Sequence, residues 1–330
     1  MKPQSAQSLC ALRENFEFSV VNIISSKMIF LKLPENKSPY FYAAAEEWLV
    51  RNLSVDKETY VLLYVNRPCV VVGKNQCVWK EVNWNYLQNS ENLVVRRVSG
   101  GGTVYHDLGN LCFSFIAKFE NERVNNYKWF NEPIVKALYE MGISATFSER
   151  NDILFETKKI SGNAQFTNRK NILSHGTILF DSDLEKLRST LKTNEFDVQS
   201  KAVSSVRSSV MNLSEKLAVN FEEFTKQFQQ FLPISSIETV DEKAIVEIEK
   251  SASEKYSSFE WIFAKSPVAQ VQKNGISFTI ENGLLQNIHA NIAELSALEN
   301  TPFLLSAVNE KITTMQWDET TRKNAVDLLF

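Results

Sequence analysis

Glycine is scarce in this chain, with 10 in 330 residues where ordinary usage near 7% would give about 23. Each one that remains therefore marks a place where the backbone needs it. Cysteine is thin as well. Cys10, Cys69, Cys77 and Cys112 form no Cys-x-x-Cys pair, which excludes a disulfide framework and a structural zinc site and fits a reducing compartment. Long apolar runs are missing. The longest, at 61–65 and 69–72, fall far short of the ~20 residues of a spanning helix, so no membrane segment is expected. An excess of basic charge is missing too: the formal charge is -3, which supplies no field to attract nucleic acid or an anionic membrane and leaves small ligands and protein partners. The first 27 residues include Glu14 and Glu17 and lack the apolar centre of a secretory signal, so a cytoplasmic location is expected.

A chain of 330 residues, 44% hydrophobic, suits two domains, because single cores stop growing near ~250 to 300 residues. Strand patterns occupy 28–33, 60–65, 69–72, 93–98, 111–116, 153–155, 160–166 and 172–180, with helical patterns at 43–49, 80–88, 126–141, 184–191 and 221–231. Beyond Asp241 come a charged helix, an aromatic patch at 259–263, a hairpin turning at Asn282-Gly283 and a helical end, enough for a small domain. The mixture of hairpins and helices implies an α+β fold. It divides into an extension at 1–27, a large domain at 28–245 and a small α/β domain at 246–330.

Six of the ten glycines stand beside polar or charged residues: Gly100, Gly101, Gly102, Gly109, Gly162 and Gly176. A triple glycine after a strand lets the backbone approach a ligand and aim several N–H groups at anionic oxygens. No Gly-Lys-Ser/Thr follows, so this is not a Walker A loop, and the Gly-x-Gly-x-x-Gly spacing of a dinucleotide fold is absent. Arg97 and His106 nearby add a cation and a hydrogen-bonding ring.

The run Arg96-Arg97-Val98-Ser99-Gly100-Gly101-Gly102-Thr103-Val104-Tyr105-His106-Asp107-Leu108-Gly109-Asn110 resembles the signature loop of lipoate-protein ligases. Three further segments, Arg150-Asn151-Asp152-Ile153, Lys159-Ile160-Ser161-Gly162-Asn163-Ala164-Gln165 and His175-Gly176-Thr177, follow in that family's order and at its spacing. Together with 204–213 and 257–261, they extend the resemblance from about residue 28 to the C-terminus. The resemblance implies a large domain related to biotin ligases, with mixed sheets and flanking helices, followed by a small accessory domain.

It also implies a chemistry. A carboxylate does not acylate an amine at neutral pH, so lipoate is first converted by ATP to an acyl adenylate with loss of pyrophosphate. The lipoyl group then passes to a lysine of an acceptor, either the lipoyl domains of 2-oxoacid dehydrogenase complexes or the glycine-cleavage H protein, in a route of lipoate salvage. Two anions must be held together, which calls for fixed cations and aimed N–H donors. By resemblance, Lys159 clamps the lipoate carboxylate and the α-phosphate. Arg97 positions phosphate or carboxylate, and Gly102, Thr103, Val104 and Tyr105 run along the nucleotide. Ser99, His106 and His175 line the acyl pocket, and Asp152 holds Mg²⁺. His289, outside every motif, is read as structural.

Two other readings remain open from the sequence. A transferase of the same fold would move octanoyl or lipoyl groups without ATP through an activated cysteine, yet Asn151-Asp152 stands where that cysteine belongs. A non-catalytic lipoate or nucleotide binder would not need Lys159 and Arg97.

Overall fold

The computed structural model describes residues 27–89, 91–191, 196–273 and 275–330, so the extension read at 1–27 lies outside the described residues except for Lys27. Strand β1 (Met28–Lys32) leads to helix α1 (Pro39–Asn52), whose start is written in its sequence: the Ser38 hydroxyl accepts from Phe41 N and Pro39 occupies the first turn. Strands β2 (Thr59–Val65) and β3 (Cys69–Val72) follow. Helices α2 (Val78–Glu81) and α3 (Trp84–Gln88) come next, then β4 (Leu93–Arg96), β5 (Val104–His106) and β6 (Asn110–Lys118). The helical pattern at 80–88 is broken because Asn83 turns out and caps α3 with its own side chain.

Helix α4 (Tyr127–Glu140) ends at Gly142, whose φ of 86° lies in the left-handed region that glycine enters without strain. Strands β7 (Ala145–Phe147), β8 (Ile153–Phe155), β9 (Lys158–Ser161), β10 (Asn163–Thr167) and β11 (Asn171–Leu179) follow. The single strand expected at 160–166 is therefore two, divided at Gly162, and the halves join different sheets. Then come α5 (Leu184–Thr190), β12 (Asp197–Gln199), α6 (Phe221–Phe231), β13 (Ile234–Thr239) and α7 (Glu242–Ser251). The C-terminal part contains β14 (Ala269–Lys273), β15 (Ile276–Glu281), β16 (Leu284–Ala290), α8 (Leu305–Thr313) and α9 (Glu319–Leu329).

The main sheet has the order β10-β11-β6-β2-β1-β13. Its β1 pairs in parallel with both β2 and β13, while the other neighbours are antiparallel. Alternation along β6 assigns its two faces. Leu111, Phe113 and Phe115 join Phe130 and Leu138 of α4 and Phe224 and Phe228 of α6 in one core. On the opposite face Ile116, with Leu62 and Leu173, packs under Phe41, Ala45 and Leu49 of α1. The small sheet β4-β3-β5 leans on that second core through Val71 and Val95. A cleft between the main sheet, α1 and the small sheet results.

The C-terminal sheet β12-β14-β15-β16 has its own core of Phe278, Leu285, Phe303, Val308 and Leu329, into which Trp79 and Trp84 of the two short helices insert. Helix α7 and the π-helical turn Ala252–Tyr256 lie instead on α1, with Ile248, Ala252 and Tyr256 buried in its core. The mixed α+β fold expected from the sequence is what the chain forms. No described helix is long and apolar enough to cross a membrane.

Candidate active site

A cavity of about 350 Å³ occupies the cleft, and a second, of about 710 Å³, adjoins it. Thr103, Val104, Lys159, Gly162, Thr177 and Ser205 border both. These residues form the seam. Every candidate except Ser99 and Tyr105 borders the first cavity, and Tyr105 borders the second.

Lys159 is placed by pairing on both sides of its strand, with Leu154 of β8 on one side and the 209–211 segment on the other. Its N–H donates to Ser209 O at 2.9 Å, and its carbonyl accepts from Met211 N at 3.2 Å. The Nζ stands 2.9 Å from Asp152 Oδ1, with the two side chains 23% and 16% exposed. A Cβ at Gly162 would lie 3.0 Å from Lys159 Nζ, so the missing side chain there leaves the amine its room.

The glycine loop is organised from beneath by Arg97. Its Nη2 donates to Gly100 O and Gly102 O at 2.6 and 2.7 Å, Nη1 to Val71 O, and Nε to Ser99 Oγ at 2.9 Å. Burial lowers its pKa to about 10, which leaves it cationic at neutral pH. The loop also depends on Gly73, where a Cβ would fall 2.2 Å from Gly101 O.

Ser99, His175 and Glu46 form a buried chain. Ser99 Oγ lies 2.7 Å from His175 Nε2, and His175 Nδ1 lies 2.8 Å from Glu46 Oε2. Glu46 Oε1 also accepts from Tyr64 and Ser114. Burial alone would raise the Glu46 carboxyl, but His175, then Ser114 and Tyr64, hold it below the ordinary value. The order serine, histidine, carboxylate is that of a hydrolytic triad. Ser99 is only 1% exposed, however, and Arg97 already donates to its oxygen, so this chain positions the loop and pocket wall and leaves no nucleophile facing a substrate.

His106 completes the inner wall. Its Nδ1 accepts from Asn66 Nδ2 at 3.0 Å, which places the ring proton on Nε2, and Nε2 is buried with no protein partner. Burial, reinforced by the Arg97 charge, lowers its pKa to about 3 and keeps the ring neutral. Cys112 lies beside it with its thiol pKa raised well above the ordinary value by burial. Tyr105 points into the core of the small sheet. His289 is exposed on β16, outside both cavities.

Sequence reasoning missed Glu46, Tyr64, Asn66, Glu81 and Ser205. The first left a signal: a carboxylate directly after the apolar run Ala43-Ala44-Ala45 of a helix must find a buried partner.

Asp152 is a hard oxygen donor on the wall of the first cavity, beside Lys159, and no group of three or more His, Cys, Asp or Glu able to hold a metal occurs among the described residues. A lone carboxylate fits Mg²⁺ that draws further ligands from phosphates and water, and does not fit an all-protein metal cage.

Several known proteins resemble this chain. The family model "Lipoyl protein ligase A/B catalytic domain" matches residues 38–232. The chain is 39% identical over 248 residues to lipoate-protein ligase LplJ of Bacillus subtilis, covering 73% of this chain and 75% of that protein. It is 37% identical over 279 residues to lipoate-protein ligase 1 of Staphylococcus aureus, covering 80% and 84%. Among solved structures, a lipoate-protein ligase A bound with ATP superposes with a TM-score of 0.61 at 25% identity, over 72% of this chain and 98% of that one. A putative lipoate protein ligase of Thermoplasma acidophilum with bound lipoic acid gives 0.59 at 26% identity, over 72% and 99%. On these matches, and with its glycine loop and Lys159 seated in one cleft, the chain belongs to the lipoyl protein ligase A/B family.

Proposed function

We propose that the protein is an ATP-dependent lipoate-protein ligase that forms lipoyl-AMP and transfers the lipoyl group to a lysine of a lipoyl-carrier domain. The observation that carries this reading is the ammonium of Lys159 at the seam of two adjoining cavities, the first lined also by Arg97, the glycine loop and Asp152. In the first step a lipoate carboxylate oxygen attacks the α-phosphorus of ATP, the bond to the bridging oxygen breaks, and pyrophosphate leaves. Lys159 offsets the repulsion between the carboxylate and the α-phosphate and stabilises charge gathering on phosphorus, where a preorganised cation contributes most. The cation of Arg97, held beneath the glycine loop by Gly100 O and Gly102 O, stabilises the same charge. Mg²⁺, held by Asp152, would neutralise phosphate charge. In the second step the neutral amine of an acceptor lysine attacks the acyl carbonyl, AMP departs, the amide forms, and the amine loses its extra proton. His106, His175 and Ser99 shape and orient the acyl site.

The acceptors in this reading are lipoyl domains of 2-oxoacid dehydrogenases or the glycine-cleavage H protein, and the setting is cytoplasmic lipoate salvage. Its domain division is a catalytic unit at 28–245 and an accessory unit at 246–330, whose core also takes in Trp79, Trp84 and Val198 of the first unit. Helix α7 and the 252–256 turn, which pack on α1, sit close to that border. An ATP-independent cysteine transferase is disfavoured, because burial raises the thiol pKa at the cysteines among the described residues, Cys69, Cys77 and Cys112, and an acyl-transfer cysteine needs its thiolate. Incubation of the full chain with ATP, Mg²⁺, lipoate and an apo lipoyl domain should add one lipoyl group by intact mass. Equal transfer from a lipoylated or octanoylated donor with ATP omitted would refute the reading.

A further inference from the structure

Residues 203–209 carry no regular secondary structure and cross the seam as a strap, with Ser204, Ser205, Val206 and Ser208 bordering both cavities. Each end is fastened to a different half of the site. At one end Ser209 O and Met211 N bracket the backbone of Lys159. At the other, Ser205 Oγ lies directly on the glycine loop, 3.2 Å from where a Gly102 Cβ would be. It accepts there from Thr103 N at 2.8 Å and from Gln76 Nε2 at 3.0 Å. Its own proton goes to Glu81, whose carboxylate also receives Ser205 N at 3.1 Å.

Glu81 is a buried carboxylate, 9% exposed, on a helix of four residues. A carboxylate in that position is retained only where charge-assisted hydrogen bonds compensate its desolvation, and these run to the strap. The base of the clasp is rigid, since Trp79 of the same helix is inserted in the C-terminal core. The strap itself is held mainly by such polar contacts, with Val203 and Val206 58% and 62% exposed, which is the character of a segment that opens locally before the rest of the fold.

We propose that Glu81 is a positioning residue for the ligation reaction: by clasping Ser205 it fastens the 203–209 strap over the seam and keeps the acyl adenylate enclosed until the acceptor lysine arrives. The proposal rests on the ligase reading above. It touches no reacting atom and acts through Ser205.

The test uses the full chain and three variants, Glu81→Ala, Ser205→Ala and Glu81→Gln. Ser205 is only partly buried, so its truncation leaves the core intact even if Glu81→Ala fails to fold. Two quantities are read. One is tryptic cleavage after Arg207 in the absence of ligands, and the other is pyrophosphate release with ATP, Mg²⁺ and lipoate but no acceptor. Glu81→Ala and Ser205→Ala should each accelerate both by about tenfold, the scale of losing hydrogen bonds to a charged group, with lipoate affinity unchanged. Glu81→Gln, which still accepts from Ser205 N, should fall between them and wild type. Wild-type values of both quantities in Ser205→Ala, or an equal loss of lipoate affinity in all three variants, would overturn the assignment. Cleavage needs no turnover and reads the clasp independently, whereas a wild-type protein that releases no pyrophosphate would count against the ligase reading alone.

Discussion

Lys159 Nζ, at the seam of the two cavities, stands 2.9 Å from Asp152 Oδ1 on the wall of the first, so the residue assigned to the reacting phosphate and the residue assigned to its metal are in direct contact. Removing the charge of Asp152 while keeping its shape therefore separates the two roles. Asp152→Asn should raise the Mg²⁺ concentration for half-maximal pyrophosphate release by about tenfold or more, as expected for a lost carboxylate ligand, with lipoate binding unchanged. A magnesium titration of the variant against wild type reads this directly, and an unshifted titration would remove Asp152 from the metal site.

The Ser99–His175–Glu46 chain makes a stability prediction. Glu46→Ala leaves Tyr64, Ser114 and His175 with buried donors and no common acceptor. Truncation of one partner in a buried network costs about 3 kcal/mol or more, to be read as a shift in urea midpoint. Glu46→Gln, which still accepts, should lose clearly less.

His106 links folding to pH. Its pKa is lowered to about 3 in the folded chain against about 6.5 when unfolded. Between these values the unfolded chain binds a proton that the folded chain does not. The stability due to this group is thus fully present above the unfolded pKa and falls as pH drops toward the folded one. Wild type should lose about 2 kcal/mol more than His106→Gln between pH 7 and pH 5, measured by urea unfolding at both. Equal losses would mean that the ring titrates normally.

The three consecutive glycines are not equivalent. Gly101 has a φ of 86°, and its Cβ would lie 3.0 Å from Arg97 Nη2, whereas nothing stands within 4 Å of a Cβ at Gly100. Gly101→Ala should destabilise the protein by about 1 to 2 kcal/mol from backbone strain, and Gly100→Ala should leave its melting point near wild type. Matching midpoints for the two variants would contradict this account of the loop.

Much of the cleft was legible in the sequence because its chemistry is carried by short contiguous runs. The 96–110 loop, Asp152 and the 159–165 segment each announce themselves by glycine, charge and spacing. Glu46, Glu81 and Ser205 were not legible, since their meaning lies in partners far along the chain. Glu46 and His175 are separated by 129 positions, and Glu81 and Ser205 by 124. Strand β13 escaped for a different reason: as an edge strand its residues are largely exposed, and Ile-Ser-Ser-Ile-Glu-Thr offers no clean alternation. The break at Gly162 was hidden because the residues on either side continue a strand-like pattern, while the backbone passes from one sheet to another.

The central claim is that the ammonium at position 159 brings the lipoate carboxylate and the α-phosphate into reactive contact. It is tested most directly by single-turnover formation of lipoyl-AMP from labelled ATP in Lys159→Ala, with ATP affinity measured alongside. The account predicts a fall in rate of about 10² to 10³, the scale of losing one preorganised charge-stabilising group, with ATP binding changed only a few-fold. A variant that forms lipoyl-AMP at the wild-type rate would contradict it.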